Sequence, residues 1–374
     1  MKNLKKPFNI RRATFFLLVF ISCIFAGAVL KLAASVILPF TIAILLSFIA
    51  YPLMKLLDKY KIPRFLSIFL IVILITIGLV AFGIVLFNSG WAILSMYPKY
   101  EERLTEIYIW IAQLFELPYD ESISFWQNLW GQFGVRAWIF DFTRTSSNSV
   151  LSFTSSAFLV IFFIVFILLE ASVFREKLET AFEGKSGQIN KMGRDLMDQV
   201  TRYLVAKFFI SLANGVIFAV AFHLVGLEFA IVWGVIQFIM NFIPNLGSII
   251  TGVGISLFAL VQFWPSPGPI IAVVIIVLAV NMILGNIIDP KIIGEHVGIS
   301  PLIVLVSLVI WGWIWGFAGM ILSVPMTVII KIVCENIPIM EPVSVFLGTR
   351  RSVLAKKNLS DHPENSDKQE KTNS

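Results

Sequence analysis

Long apolar runs separated by short polar pieces constrain the fold of this chain more than any other feature. The hydrocarbon core of a bilayer is roughly 30 Å thick, so a helix needs about 20 apolar residues to cross it. Several runs in the sequence approach or exceed that length, and 58% of the 374 residues are hydrophobic. Because lipid cannot satisfy the hydrogen bonds of an open backbone, these runs predict helices. The mean hydropathy of +0.88 excludes a soluble domain.

The runs predict a bundle of crossings that becomes irregular towards the C-terminus. Single crossings are predicted at residues 14–30, 32–51, 65–87, 150–169 and 208–225. Three further runs follow at residues 229–263, 270–288 and 301–330. The first and the last of these are too long for one upright crossing and short for two. We predict an all-α polytopic membrane protein with about six to eight transmembrane helices and two broken or re-entrant hairpins in the C-terminal half.

Basic residues favour a cytoplasmic location for both termini. With that orientation, 22 Lys and Arg residues lie in or beside cytoplasmic segments and 5 lie outside. Cytoplasmic loops of membrane proteins carry such an excess. The formal net charge of +6 is scattered over the ends of apolar runs, so it indicates topology and not a nucleic-acid partner.

The chain divides into five parts on this basis. Residues 1–88 hold three transmembrane helices, and residues 89–149 form an extracytoplasmic, aromatic-rich helical segment. Residues 150–207 combine the fourth crossing with a charged cytoplasmic helical segment. Residues 208–345 form a core with the broken hairpins, and residues 346–374 form a cytoplasmic tail. Segment 89–149 is expected to form small helices that lie on the bilayer surface or against neighbouring helices, or alternatively a packed cap.

An internal repeat relates the two irregular regions. A shift of 72 residues places Asn214 on Asn286 and Gly247 on Gly319. The two units would then lie in the membrane with inverted orientation. Many secondary transporters build a central site between units of this kind.

Polar side chains inside apolar runs are the best candidates for a site, because each must find a partner or line a wet cavity to offset its desolvation. They are Gln237, Asn241, Asn245, Asn281, Asn286 and Asp289. Pro244 removes a backbone donor beside two carboxamides, and Gly247 permits a turn there. Freed backbone groups at such a break can hold a cation or a polar solute. The alternative is a kinked helix whose asparagines bond a neighbouring helix.

An acidic residue stands at the end of the run at residues 270–288. Pro290 follows Asp289 and is expected to stop the helix, while Lys291 is close enough to pair with Asp289 or Glu295. The acid can bind a cation or exchange protons. Alternatively, this segment is a cytoplasmic turn that caps two helices with an internal salt bridge.

Enzyme motifs are missing from the sequence. The three histidines lie far apart, and neither a P-loop nor a Gly-x-Ser-x-Gly elbow occurs. No metal site and no cofactor are expected. Without a nucleotide site, transport would use an ion gradient or run downhill.

Three motifs occur in a fixed order in the C-terminal half. They are residues 244–247 (PNLG), residues 289–294 (DPKIIG) followed by 297–301 (VGISP), and residues 316–319 (GFAG) followed by 324–325 (VP). Their order and spacing resemble the autoinducer-2 exporter family of bacterial membrane proteins. The resemblance implies transport without ATP in the bacterial cytoplasmic membrane by a homo-oligomer. Some members of that family are linked to export of autoinducer-2 and others to sodium/proton exchange.

The resulting hypothesis is a secondary transporter or facilitator that exports a small solute, such as an autoinducer-2-like signal, or exchanges ions. A sodium/proton antiporter and a non-transporting membrane scaffold are the alternatives. The expected partners are the lipid bilayer, a small solute or ion, and further copies of the chain. The substrate or ion path is expected at Gln237, Asn241, Pro244, Asn245, Gly247, Asn286, Asp289, Gly316 and Gly319.

Overall fold

The computed structural model describes residues 10–115, 153–170, 186–244, 246–293, 299–336 and 340–348. Within these ranges, seven helices are long and apolar enough to cross a membrane. They are Ala34–Lys59, Arg64–Val85, Phe153–Glu170, Met197–Val225, Leu246–Phe263, Pro267–Ile288 and Pro301–Glu335. The predicted all-α polytopic membrane fold is confirmed.

The described part of the N-terminal half contains four helices: α1 (Ile10–Leu32), α2 (Ala34–Lys59), α3 (Arg64–Leu114) and α4 (Phe153–Glu170). Apolar side chains of α2, α3 and α4 form one core, in which Ala43, Ile71 and Ile164 are fully buried. Between α1 and α2, only Ala33 departs from the helix.

Helix α3 extends far beyond its apolar part, which ends at Val85. Its 51 residues give a rod of about 77 Å, more than twice the hydrocarbon thickness. The expectation of separate small helices after residue 88 is therefore wrong for the described part, up to Leu114. An ion pair at helical spacing, between Arg103 and Glu106, supports a continuous helix there. The remainder of segment 89–149 lies outside the described residues.

From residue 186 onwards, the described residues form seven helices and one π-helical stretch. They are α5 (Ser186–Val225), α6 (Ala230–Met240), α7 (Leu246–Phe263), α8 (Pro267–Val280), the π-helical stretch Asn281–Ile288, α9 (Asp289–Ile293), α10 (Pro301–Asn336) and α11 (Glu341–Leu347). Thus α5 includes both the second part of the charged segment before residue 208 and the crossing that follows it. The tail after residue 348 lies outside the described residues.

Helices α6 and α7 form the first hairpin. The chain reverses after Met240, and a Cβ atom on Gly247 would lie only 1.8 Å from the Met240 carbonyl oxygen. Further along the arms, a Cβ atom on Gly254 would lie 3.7 Å from the ring of Trp233. Glycine is needed at position 247 because any side chain would enter the backbone of the opposite arm.

The second hairpin lies within α10. Trp315 (φ −122°, ψ 16°) and Gly316 (φ 61°, ψ −139°) break the helix, and the positive φ favours glycine at position 316. The Ser307 hydroxyl donates to the Ser323 carbonyl at 2.9 Å. Sixteen residues would separate these groups by about 24 Å in a straight helix, so the chain must reverse between them. The break predicted at residues 316–319 is thus a hairpin turn.

The turn of the second hairpin packs against the junction of α1 and α2. The Trp315 indole Nε1 donates to the Leu30 carbonyl at 3.1 Å. The Lys31 ammonium lies 4.3 Å from the centre of the Trp313 ring. The tryptophans of this turn therefore bind the end of α1, where the helix break frees a backbone carbonyl.

The expectation that Pro290 ends the helix is wrong. The chain passes from α8 through the π-helical stretch into α9, which contains Asp289 and Pro290. A π-helix bonds residue i to residue i+5 and so departs from the regular α-helical ladder. The altered pairing accommodates a proline, which has no N–H to contribute to the ladder.

Each hairpin follows a long helix in the chain; we call each such pair a unit, and we call the two units inverted because their long helices run in opposite directions. One unit consists of Met197–Val225 and the first hairpin, and the other of Pro267–Ile288 and the second hairpin. In the second hairpin, a Cβ atom on Gly319 would lie 1.9 Å from the Trp311 carbonyl oxygen. This matches the first hairpin, where a Cβ atom on Gly247 would lie 1.8 Å from the Met240 carbonyl oxygen. Phe222 shares a core with Val273, whereas Lys207 pairs with Asp289. The long helices of the two units therefore run antiparallel.

Candidate functional site

Six polar side chains lie around the first hairpin in two hydrogen-bonded groups of three, and the backbone N–H of Asn241, which donates to the Gln237 carbonyl at 2.9 Å, joins the two groups. We call the six together the amide cluster; its members are Ser211, Asn214, Gln237, Asn241, Thr251 and Asn281. Helix α5, the first hairpin and the start of the π-helical stretch each contribute to it. The cluster thus lies where the first hairpin meets both long helices.

The turn of the first hairpin is bonded to α5. The Asn241 amide donates from Nδ2 to the Ser211 hydroxyl at 2.9 Å. The Asn214 amide donates to Asn241 Oδ1 at 3.4 Å, while Asn214 Oδ1 is buried and has no hydrogen-bond partner among the described residues. An unpaired amide oxygen at this depth is costly. It is also a place where a polar ligand can bind.

Gln237 joins the first hairpin to the second unit. Its side chain is fully buried, and Nε2 donates to Asn281 Oδ1 at 3.2 Å. The Thr251 hydroxyl lies between Gln237 Oε1 and the Gly247 carbonyl, which it reaches at 2.8 Å. Gln237 therefore contacts the opposite arm of its own hairpin and the helix of the inverted unit at the same time.

Two glycines bring α5 and α6 close enough for these bonds. A Cβ atom on Gly215 would lie 2.6 Å from the Gly234 carbonyl, and a Cβ atom on Gly234 would lie 2.6 Å from the Gly215 carbonyl. Small residues allow this close packing of helices in membranes. The contact positions Asn214, the neighbour of Gly215, beside the hairpin turn.

One turn of α5 away from the amide cluster, an ion pair links the two units. Lys207 Nζ lies 2.9 Å from Asp289 Oδ2, and the two side chains are 8% and 23% exposed. The expectation that Asp289 pairs with Lys291 is wrong in the structure, because Lys291 is exposed. Glu295, the other expected partner, lies outside the described residues. Lys207 therefore joins two helices through its charge, in addition to being one of the basic residues that favour a cytoplasmic location for this end of the helix.

The structure gathers only part of the predicted path. Gln237 and Asn241 belong to the amide cluster, and Gly247 contributes a carbonyl to it. Pro244 is half-buried in the same turn, and Asn245 lies outside the described residues. Asn286, by contrast, is exposed.

The remaining predicted path residues, Gly316 and Gly319, lie in the second hairpin. The turn at Gly316 packs against the end of α1 through Trp315. Gly316 allows the turn, and Gly319 allows the close approach of the two arms. The turn contacts α1.

Four side chains of the amide cluster and the neighbouring ion pair were not predicted as site residues: Lys207, Ser211, Asn214 and Thr251. The first three are spaced by four and three residues and so lie on one face of a helix. That spacing is the signal that was available in the sequence.

A second polar contact lies outside the membrane-spanning segments, and we call it the α3 clamp. Lys99 Nζ lies 2.6 Å from Glu228 Oε1, and the Tyr100 hydroxyl donates to Glu228 Oε2. Burial opposes ionisation of Glu228, but the hydrogen bonds from Lys99 and Tyr100 hold its pKa below the ordinary value. Burial and the bond to Glu228 raise the pKa of Tyr100. The clamp fixes the extension of α3 to the loop before the first hairpin.

Aromatic contacts continue the α3 clamp. The rings of Tyr100 and Phe258 lie 5.4 Å apart, and those of Trp110 and Trp264 lie 5.2 Å apart. The extension of α3 therefore also packs on the far end of α7.

These features define a multi-pass helical membrane protein with a polar cluster between two inverted units, the architecture of many secondary transporters. The family model for the AI-2E family transporter matches residues 15–339, and the chain belongs to this family of transporters.

Three relatives align over most of their length. A protein of Borreliella burgdorferi is 32% identical over 92% of both chains, and one of Haemophilus influenzae is 31% identical over 85% of this chain and 91% of the relative. Both are named provisionally as transport proteins. The AI-2 transport protein TqsA of Escherichia coli K12 is 28% identical over 85% of this chain and 91% of the relative.

Proposed function

We propose that the chain is a secondary transporter that moves a small, uncharged, hydroxylated solute through the amide cluster. The observation that carries the proposal is the position of this cluster between the two inverted units. Gln237 bonds to Asn281 of the second unit, while Asn241 bonds to Ser211 of the first. A relative movement of the units directly changes the bond between Gln237 and Asn281, which crosses from one unit to the other.

The chemistry of the cluster supports an uncharged solute. Amide and hydroxyl side chains both donate and accept hydrogen bonds, so they can replace the water around hydroxyl groups of a solute. The two charged side chains one turn of α5 from the cluster, Lys207 and Asp289, neutralise each other. A charged solute would have no counter-charge in the cluster and would enter with a large desolvation penalty.

The inverted units support alternating access. Two units of related structure and opposite orientation can exchange conformations, which exposes a site between them to one face and then to the other. The absence of nucleotide-binding motifs from the sequence favours a gradient as the energy source. Location in the bacterial cytoplasmic membrane with both termini inside, as the basic residues favour, is part of the proposal.

AI-2 is the first solute to test, because it is in the name of the Escherichia coli relative. We propose export of AI-2 or of a chemically similar solute as the activity of this chain. The half-buried Asp289 favours one further candidate, an exchange of sodium for protons, since a carboxylate can carry either cation.

Exchange in proteoliposomes tests the proposal. Vesicles loaded with unlabelled solute should take up labelled AI-2 or labelled ribose when the purified chain is present. Asn241→Leu removes the bonds to Ser211 and Asn214, each worth about 1 kcal/mol, so we expect exchange to slow by about tenfold or more.

Asn286→Leu is the matched control, because it makes the same substitution at an exposed position. It should exchange solute at the wild-type rate. If Asn241→Leu is folded and exchanges at the wild-type rate, the cluster is not the path. If the wild type exchanges neither solute but moves sodium against protons, the second candidate replaces the first, whereas no flux at all favours a scaffold.

A further inference from the structure

The ion pair between Lys207 and Asp289 is incompletely satisfied. Asp289 Oδ2 meets the Lys207 ammonium at 2.9 Å, but Oδ1 is buried and has no hydrogen-bond partner within the described ranges. Replacing a buried ion pair by apolar side chains is often neutral or stabilising, so such a pair is weak evidence for a role in stability. The free carboxylate oxygen leaves room for a different role.

The pair also occupies a particular place in the fold. Lys207 belongs to the long helix of the first unit, and Asp289 follows the long helix of the second. Lys207 stands one helical turn from Ser211, which bonds the hairpin turn through Asn241. Separation of the ion pair therefore separates the two units directly beside the amide cluster.

We propose that Asp289 is the coupling site of the transporter, and that the coupled ion is a proton. This inference rests on the proposed transport of an uncharged solute. One proton from the aqueous phase binds a carboxylate oxygen of Asp289, and the net charge of the pair changes from 0 to +1. No other covalent bond forms or breaks.

Protonation weakens the contact between the units. The Lys207 ammonium loses its counter-charge while it remains buried, which is unfavourable at this depth. Water must then reach Lys207, and the helices separate to admit it. The same separation opens the amide cluster to solute, and release of the proton restores the closed pair.

The described surroundings of Asp289 favour a proton over a metal ion. No group of three or more His, Cys, Asp or Glu side chains that could hold a metal occurs in the described part of the chain. A cation at Asp289 would lie beside the Lys207 ammonium, which repels it. A proton needs one oxygen atom only, and Oδ1 has no hydrogen-bond partner among the residues that the structure describes.

The titratable groups that face this site are few. Helix α5, the element packed against α9, contributes Lys207 and the buried Tyr203 one turn earlier. Helix α9 itself carries Lys291, which is exposed. Among the described residues, Asp289 is thus the acid of this site.

Proteoliposomes with an imposed pH gradient test the inference. The membrane potential is clamped with potassium and valinomycin, AI-2 is the probe, and an entrapped pH-sensitive dye reports proton movement. A gradient of one pH unit supplies about 1.4 kcal/mol per proton. With one proton per solute, it should shift the steady-state ratio of AI-2 across the membrane by about tenfold. A sodium gradient should shift it by less than twofold.

Variants of Asp289 test whether this residue couples solute transport to protons. Folded Asp289→Asn should exchange AI-2 between equal concentrations while it loses both proton movement and the tenfold shift. Asp289→Glu, which restores the carboxylate, should recover both. Asp198→Asn, which removes an exposed acid of α5, is the matched control and should behave as the wild type.

The outcomes separate the inference from the proposed function. Exchange of AI-2 by the wild type without proton movement overturns the proton coupling but leaves the solute path. Proton coupling that persists in Asp289→Asn, or loss of exchange in this variant when it is folded, overturns the role of Asp289. A wild type that exchanges no AI-2 contradicts the proposed function. If that protein instead moves protons in response to a sodium gradient, Asp289 is assigned to cation exchange.

Discussion

Replacement of Gly247 by alanine tests the geometry of the first hairpin. The added Cβ atom would lie 1.8 Å from the Met240 carbonyl oxygen, whereas ordinary contacts of such an atom begin at 3.4 Å. The arms must therefore move apart by more than 1 Å, and the neighbouring bond between Thr251 and Gln237 is stretched by that movement. Overpacking of this kind costs about 1–3 kcal/mol. We expect the Tm to fall by roughly 5 °C.

The measurement is thermal unfolding of the purified protein in detergent, followed by tryptophan fluorescence. Gly254→Ala is the matched control, because it adds the same atom to the same helix where the nearest group, the Trp233 ring, lies at 3.7 Å. Its Tm should change by less than about 1 °C, since surface and loosely packed substitutions have small effects. Equal Tm values for Gly247→Ala and Gly254→Ala would refute the close contact between the arms.

Three further outcomes are expected. Gly319→Ala should destabilise the second hairpin as Gly247→Ala does the first, because its Cβ atom would lie 1.9 Å from the Trp311 carbonyl; an unchanged Tm would contradict the structural repeat. Trp315→Phe removes the bond to Leu30 and should lower the free energy of unfolding by about 1 kcal/mol, which denaturation in mixed detergents measures; no loss would argue against that bond. Glu228→Gln should remove an acid-sensitive part of the stability. Because the pKa of Glu228 is lowered, its contribution is complete above the ordinary value of 4.5 and disappears as the pH falls through the lower value. Thermal unfolding at several pH values checks this, and an unchanged acid profile in Glu228→Gln would exclude the α3 clamp as its source.

The sequence predicted the hairpin turns because their signals are local. Proline removes a backbone donor and glycine permits a close approach, so residues 244–247 and 316–319 interrupt apolar runs in a recognisable way. The 72-residue shift related Gly247 to Gly319, and both glycines make the same contact with the preceding arm. Polarity within an apolar run identified Gln237 and Asn241 for the same local reason.

The partners of Asp289 depend on packing that no local signal reveals. Lys291 is near in sequence, but its position on α9 leaves it exposed. Lys207 is 82 residues away and reaches Asp289 because the long helices of the two units run antiparallel. A lysine at the edge of an apolar run is also the normal signal for topology, so the sequence alone could not show that Lys207 is buried.

Asn286 was selected because it is polar inside an apolar run, but this criterion does not specify which face of the helix is buried. The π-helical stretch alters the angular position of each residue relative to an α-helix. Asn281 at its start reaches Gln237, whereas Asn286 is exposed. The continuous α3 was missed for a related reason, since aromatic composition indicated an interface but not the length of the helix.

Accessibility of position 241 from water tests the central claim most directly. Asn241→Cys is prepared in a background with Cys23→Ala and Cys334→Ala, and membrane-impermeant thiol reagents are applied separately to each face of sealed vesicles. We predict labelling at the hairpin turn that AI-2 slows. A folded protein whose position 241 reacts from neither face, with or without AI-2, would contradict a solute path through this part of the membrane.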